Sequence, residues 1–294
     1  MKQFKLETNY SNNNYLREKL YPLFETVFGI EVDTFKDFYA RGFWDATYTP
    51  FTLFHGNRAI ANVSVFDMPL VINGEKKIAA GIQSVMTDPN YRGQGLMNSL
   101  MNKALKYIDS KYEQTFLMTS NSDLYMKFGF KIVKEYYFTR KWTHTAAQTE
   151  SSLIHLDMFD SNDIQIIRWA FANNKPSSSR FYPINYAPSF YLNMYNPILH
   201  EMVFFSPELN VIIIYEVDDG VLELYDIIGP ELPSLEKICS VIPFSFTDIN
   251  IYFSPDLFPE EFEAVEYNDV DYLMVRGEFE LMETPIMLPI VAEF

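Results

Sequence analysis

The residues best suited to chemistry lie in one short stretch, Arg92-Gly93-Gln94-Gly95-Leu96-Met97. Two glycines let the backbone turn sharply and approach a ligand closely, because neither carries a Cβ. From Leu96 the apolar residues fall at Met97, Leu100, Met101, Ala104, Leu105 and Ile108, the spacing of a helix with one buried face. The loop thus opens into a helix N-terminus, whose unpaired N–H groups and positive dipole end attract an anion. Arg92 adds a fixed charge with fork-like donors suited to phosphate. Together these features make a cradle for a pyrophosphate.

Several elements must hold that cradle in place. Ile82 to Thr87 reads as a strand, ended by the turn chemistry of Asp88-Pro89-Asn90. Upstream, the pattern predicts a strand over 3–8, helices over 14–28 and 33–40, and strands over 51–54 and 59–66. His55-Gly56-Asn57 and Asn73-Gly74 are hairpin turns, since these residues tolerate the positive φ such turns need. Downstream come a helix over 96–110, a strand over 115–119, a helix over 123–128 and a strand over 131–139.

Tyr91-Arg92-Gly93-Gln94-Gly95-Leu96-Met97, following a strand that ends in Val85-Met86-Thr87, resembles the acetyl-CoA-binding motif of the GNAT superfamily of N-acetyltransferases, Arg/Gln-x-x-Gly-x-Gly/Ala. Arg92 and Gly95 match, while Met97 stands where that family usually has Gly or Ala. Asn121-Ser122-Asp123-Leu124-Tyr125-Met126-Lys127-Phe128-Gly129-Phe130 resembles the family's later motif, in which a tyrosine precedes a Gly-Phe pair by four residues. The order of elements over residues 1–142 is also the family's order. The resemblance implies that Val85, Met86 and Thr87 pair with the pantetheine arm and that residues 92–97 hold the pyrophosphate. It further implies that Asn121 helps to position the arm and that Tyr125 protonates the departing thiolate. A phenol with a pKa of about 10 stays protonated at neutral pH, as that role requires.

The remainder of the chain reads as a second copy of the same plan. A polar run over 143–152 divides residues 1–145 from residues 150–294. Beyond it the pattern predicts strands near 202–205, 211–217 and 221–228, a helix over 234–242 and a strand over 249–253. A helix or loop near 260–264 and a last pair of strands, at 272–275 and at the end, complete it. The turn Gly229-Pro230-Glu231-Leu232-Pro233 cannot cradle a phosphate, because prolines remove N–H donors and glutamate repels anions. The fold class expected is α+β with mixed sheets: a GNAT domain followed by a degenerate GNAT-like domain. Such pairs resemble the enhanced intracellular survival acetyltransferases, which carry a further sterol-carrier-like domain and use a C-terminal carboxylate as base. That resemblance implies a base at Phe294, where an apolar cleft would raise a carboxylate's pKa. Gln83 and Ser84 offer no carboxylate, so a water-relayed base, or none, stays open.

Composition narrows the function classes. Of 294 residues 48% are hydrophobic and 21% charged, a globular balance with room for two cores. A lone cysteine, Cys239, excludes an internal disulfide framework and fits a reducing cytoplasm; scattered histidines leave no metal-ligand spacing. No apolar run reaches the ~18 residues of a membrane span. Residues 1–147 carry 18 basic and 14 acidic side chains, whereas residues 148–294 carry 5 and 25. The acidic half repels nucleic acid and favours a cationic substrate. The expected activity is direct acetyl transfer from acetyl-CoA to a cationic primary amine of a small molecule or peptide. That amine is expected to pass between the halves, by Phe43, Trp44 and Tyr182. The alternative is an acyl-CoA-binding sensor without turnover, motivated by Met97 and the missing base.

Overall fold

The computed structural model describes residues 4–146, 152–268 and 270–294. The chain begins with β1 (Lys5–Thr8), α1 (Asn14–Phe28) and α2 (Val32–Ala40), then β2 (Thr49–His55), β3 (Arg58–Ile72) and β4 (Glu75–Thr87). Next come α3 (Leu96–Ile108), β5 (Thr115–Thr119), α4 (Asp123–Met126), β6 (Lys131–Ile132) and β7 (Glu135–His144). The second half opens with β8 (Ile154–His155), α5 (Asp163–Ala172), β9 (Phe181–Pro183), α6 (Ala187–Asn193) and α7 (Pro197–His200). It closes with β10 (Val203–Ser206), β11 (Val211–Asp218), β12 (Val221–Ile228), α8 (Leu235–Val241), β13 (Phe246–Ile251), β14 (Glu263–Tyr267) and β15 (Tyr272–Arg276). Among the described residues no helix is long and apolar enough to cross a membrane.

Local chemistry explains the boundaries near the cradle. Asn13 caps α1 by accepting from the Leu16 N–H, and Gly29, at φ 71°, ends that helix in the left-handed conformation. Asn73 and Gly74, at φ 49° and 80°, make the tight turn between β3 and β4. Both strands extend well beyond the apolar runs that mark them in sequence.

Two sheets share one plan. The first runs β1-β2-β3-β4-β5-β15-β6, with β9 on the far end of β3; the second runs β8-β10-β11-β12-β13-β7-β14. In each, four antiparallel strands lead to one parallel pair, β4 with β5 and β12 with β13, followed by two antiparallel strands. The second half therefore repeats the fold of the first, as its element order suggests.

The two sheets also trade strands across the expected division at 145–150. The single strand expected over 131–139 is two: β6 stays in the first sheet, and β7 crosses to the second. Leu273 O accepts from Val133 N at 2.8 Å, the last such bond to the first sheet, and from Glu135 onward the chain pairs with β13 and β14. In return β15 fills the vacated slot between β5 and β6. Residues near 260–264 are not a helix, because β14 begins at Glu263 on the outer edge of β7. The chain's end is no strand either: Pro285 and Pro289 remove ladder donors, and a short 3-10 turn spans Ile290–Ala292. Residues 147–151 of the polar run lie outside the described residues.

One core, with Phe66, Leu70, Phe116 and Phe138 among its members, fills the space between the sheets. A second packs α3 on the other face of the first sheet, through Leu100, Met101 and Ala104 against Val63, Ile82 and Leu117. A third joins α1 and α2 to Tyr48, Phe54 and Met86.

Candidate active site

The turn after β4 is clasped from beneath. Asp88, fully buried, accepts from the Asn90 N–H at 2.9 Å through Oδ1 and meets the Arg58 guanidinium at 2.6 Å through Oδ2. Gly93 and Gly95 follow at φ 75° and 72°. A Cβ at either would meet nothing within 4 Å, so backbone conformation and not crowding calls for glycine here. Gly95 is also the N-cap of α3, and no side chain caps the first turn. Its orphan N–H groups remain for a ligand. Arg92 is exposed and its Nε donates to Thr87 O at 3.3 Å.

Beside this turn the sheet opens. β4 and β5 pair only as far as Ile82 and Leu117. Beyond that point β4 bulges: the register passes from Ser64–Gln83 to Asn62–Met86, and Ser84 takes φ 56°. A buried polar chain pins the bulge. Asn62 Nδ2 donates to Ser84 O and to Ser64 Oγ, both at 2.8 Å, while Asn62 Oδ1 accepts from Thr52 at 2.6 Å. The resulting cleft, ≈ 400 Å³, is lined by Val85, Thr87, Arg92, Gly93, Gly95, Leu96, Met97 and Tyr125, among others.

Tyr125 is held by α4, a single turn that follows β5. It is 6% exposed, and burial pushes its pKa up to about 12, an effect that Thr119 partly offsets. The phenol therefore keeps its proton throughout the neutral range. Behind it Arg276, from β15, donates to Phe128 O at 3.0 Å and forms a two-pronged pair with Asp109 at the end of α3. The exchanged strand thus braces both the tyrosine turn and the cradle helix.

A second cavity, ≈ 50 Å³, reaches the bulge from the α1–α2 side. Gln83 and Ser84 line it, as do Trp44, Asp45, Tyr48, Phe66 and Phe294. The bulge is the wall the two cavities share, since Val85 and Thr87 line the first. Phe294 stands edge-on to Phe66, ring centroids 5.0 Å apart, and Asn193 Nδ2 steadies the preceding segment by donating to Glu293 O at 3.0 Å.

The structure brings Val85, Thr87, Arg92, Gly93, Gly95, Leu96, Met97 and Tyr125 to one cleft and Phe294 to its neighbour. It leaves three expected contacts out of the lining. The Met86 side chain is buried on the opposite face, in the α1–α2 core, because successive strand residues alternate sides. Gln94 and Asn121 are exposed and stand outside the cleft's lining. Phe43 and Tyr182 do not flank a passage either: Phe43 stacks on Tyr191 at 3.9 Å, and the fully buried Tyr182 donates to Asp226 at 2.7 Å. Sequence reasoning missed Asn62 and Asp45; a polar residue within an apolar strand and the lone acid of an aromatic loop were the available signals. Among the described residues no group of three or more His, Cys, Asp or Glu could hold a metal ion.

The family model for the acetyltransferase (GNAT) domain matches residues 15–133. Among solved structures, a probable N-acyltransferase from Enterococcus faecalis V583 is similar with a TM-score of 0.57 at 15% identity, over 94% of this chain and 73% of that one. Eis1 from Mycobacterium abscessus gives 0.58 at 12% identity, over 94% and 73%. A GCN5-related N-acetyltransferase from Anabaena variabilis gives 0.55 at 14%, over 93% and 72%. At these identities the likeness is one of fold, and it spans both sheets. No curated protein matches the sequence.

Proposed function

We propose that this chain, whose residues 15–133 match the acetyltransferase (GNAT) domain model, transfers an acetyl group from acetyl-CoA to the primary amine of a small molecule or peptide in the cytoplasm. The observation that carries the reading is a single cleft holding both parts of the chemistry. A pair of left-handed glycines leads into a helix N-terminus without a side-chain cap, and a buried, protonated tyrosine faces the same space.

Acetyl-CoA, when bound, supplies an acyl thioester already activated toward amines. Arg92 and the N–H groups of the α3 first turn would bind its pyrophosphate, a doubly charged group that suits them. The edge of β4 at Val85 and Thr87 would take the pantetheine arm as a strand takes a partner. In the reaction a carbon–nitrogen bond forms and a carbon–sulfur bond breaks, one proton leaves the amine and one reaches sulfur. Tyr125 gives that last proton. The amine's proton needs an acceptor, because an ammonium has no lone pair. Phe294 is proposed to carry it: a main-chain carboxylate free at that position would be desolvated among aromatic rings and so made more basic.

Release of CoA thiol from acetyl-CoA, measured across a panel of primary amines, tests the reading. Amine-dependent turnover is expected, and Tyr125→Phe should lower kcat by roughly 100-fold with acetyl-CoA affinity unchanged. Saturable acetyl-CoA binding with no turnover on any amine would overturn it and favour the sensor.

A further inference from the structure

Just before the bulge, β4 carries a glycine that makes no turn. Gly81 pairs with Phe66 of β3 on one side and with Phe116 of β5 on the other. It is not among the glycines at positive φ, so backbone conformation does not call for it. A glycine inside a strand weakens the strand and marks a close approach by something else. Here that something is a ring. A Cβ on Gly81 would stand 2.2 Å from both Cε1 and Cζ of Phe66 and 2.9 Å from Cδ1. A methyl group at this position would have to push the outer edge of the ring back by about 1 Å to reach ordinary contact. The Phe66 ring therefore lies across β4, in the space a side chain would fill, as aromatic rings cover strand glycines elsewhere.

That posture reaches Phe294. Phe66, 7% exposed, and Phe294 border the same two small cavities, one of them walled by Gln83 and Ser84 of the bulge. The two rings meet edge-on at 5.0 Å, toward the short end of the ~4.5–7 Å that such pairs span. The preceding main chain is tethered by Asn193 Nδ2, which donates to Val291 O at 3.3 Å and to Glu293 O at 3.0 Å. Those bonds stop short of Phe294 itself. Among the described residues, Phe66 is the one ring that Phe294 packs against.

Resting on the acetyl-transfer reading, we propose that Gly81 is a positioning residue for the reaction: by carrying no side chain it lets Phe66 lie across β4, and Phe66 so placed seats Phe294 beside the bulge. Gly81 acts through two rings and touches no reacting atom. Misplacing a reacting group by about 1 Å can cost a hundredfold in rate, and a methyl group on Gly81 demands a shift of that size in the ring on which Phe294 rests. The effect belongs to kcat, because Phe66 is not part of the cleft that would hold acetyl-CoA.

The test compares wild type, Gly81→Ala, Phe66→Leu and the double variant of the 294-residue chain. Carboxypeptidase A, which removes a terminal aromatic residue, reads the seat, and CoA thiol release with an amine reads the reaction. Gly81→Ala should release phenylalanine faster than wild type and lower kcat about 10- to 100-fold, with KM for acetyl-CoA unchanged. Leucine has no atom at Cε1 or Cζ, the two closest approaches, so in a Phe66→Leu background there is little left to strike. There Gly81→Ala should alter neither kcat nor the release rate further. A full Gly81→Ala penalty in that background would make the glycine a need of the strand alone and overturn the proposal. Faster release with kcat intact, or a KM for acetyl-CoA that rises as kcat falls, would overturn it too. If Gly81→Ala does not fold, Phe66→Leu decides: it removes the ring edge, and must free phenylalanine and lower kcat at constant KM. Wild type that turns over no amine overturns the acetyl-transfer reading, while the release rates still decide whether Gly81 and Phe66 seat Phe294.

Discussion

The strand–turn–helix over residues 75–108 and its counterpart over 221–241 begin alike and end differently. In each, a strand pairs in parallel with the next and then parts from it: β4 after Ile82, β12 after Leu224. In each the register slips where they part. Two residues beyond the last parallel pair stand Ser84 in the first half and Asp226 in the second. Ser84 adopts a left-handed conformation at the rim of an open cavity. Asp226 is fully buried and receives the hydroxyls of Tyr182 and Tyr186 at 2.7 and 2.5 Å. Past this point the end of β12 is covered by the chain itself. Lys175 N donates to Gly229 O at 2.9 Å, Ser177 Oγ to Ile227 O at 2.9 Å, and Gly229 N to Asn174 Oδ1 at 3.0 Å. The helix that follows is capped by Ser234 and carries Glu236 in its first turn, which answers the dipole that α3 leaves open. One plan thus yields a cleft where the donors stay unspent and a sealed core where the chain's own side chains take them.

The sharpest way to break that contrast is to give the first half the second half's turn. Arg92→Gly, Gly93→Pro, Gln94→Glu and Gly95→Leu together copy residues 229–232. Acetyl-CoA affinity should fall about a thousandfold or more, some 4 kcal/mol, in a titration. Because the loop is exposed, far-ultraviolet circular dichroism should be unchanged. Retained affinity would show that the cradle lies elsewhere.

Asp226 offers the next largest effect. Burial pushes its pKa up to about 7, well above the 3.8 ordinary for an aspartate. A raised value means that the folded state holds the proton where the unfolded chain has lost it. The stability this group contributes is therefore complete below pH ~4 and is lost as pH climbs to about 7. Across pH 5 to 7 the loss is roughly 2 kcal/mol, at 1.36 kcal/mol per unit until the slope flattens near pH 7. Asp226→Asn should remove that slope in urea melts at several pH values, while acetyl-CoA affinity stays constant. An unchanged slope would mean that the carboxyl titrates as an ordinary surface acid.

The contrast also explains what could be read in the sequence. The cradle was legible because its determinants are local: two glycines at positive φ and an apolar period of a helix. The sealed turn was legible for the same reason, through Pro230, Pro233 and Glu231. The exchange of β7 and β15 was not, because nothing local to either strand says which sheet it joins, and only pairing with the distant strands β13 and β5 decides it. Phe43 and Tyr182 looked like walls of a passage since residue type does not say which face a ring takes. Asn62 was hidden because its role depends on Ser84, twenty-two positions away and across the hairpin.

Asn62 supplies a test of the open half that is no larger than the charge effect. Asn62→Ala would take the donor from the buried Ser84 carbonyl and leave the Thr52 hydroxyl with Tyr10 alone, a cost of about 2 kcal/mol. Thermal melts should show that loss, and turnover should fall with it, because the bulge forms the wall between the two cavities. A stability loss with kcat/KM intact would uncouple the polar chain from the site.

The smallest effect belongs to the closed half. Ser177→Ala removes one of the bonds that hold residues 174–177 along β12, and leaves the Ile227 carbonyl one donor short. A neutral bond of this kind is worth about 1 kcal/mol, so the urea midpoint should shift only slightly. Neither acetyl-CoA affinity nor turnover should change, since no ligand is expected at this edge. Were Ser177→Ala instead to confer a second acetyl-CoA equivalent in a titration, the seal would be a removable plug, and the second half would have kept a binding edge beneath it. The prolines and Glu231 at the following turn argue for the first outcome: clearing the strand edge restores none of the N–H donors that a pyrophosphate needs.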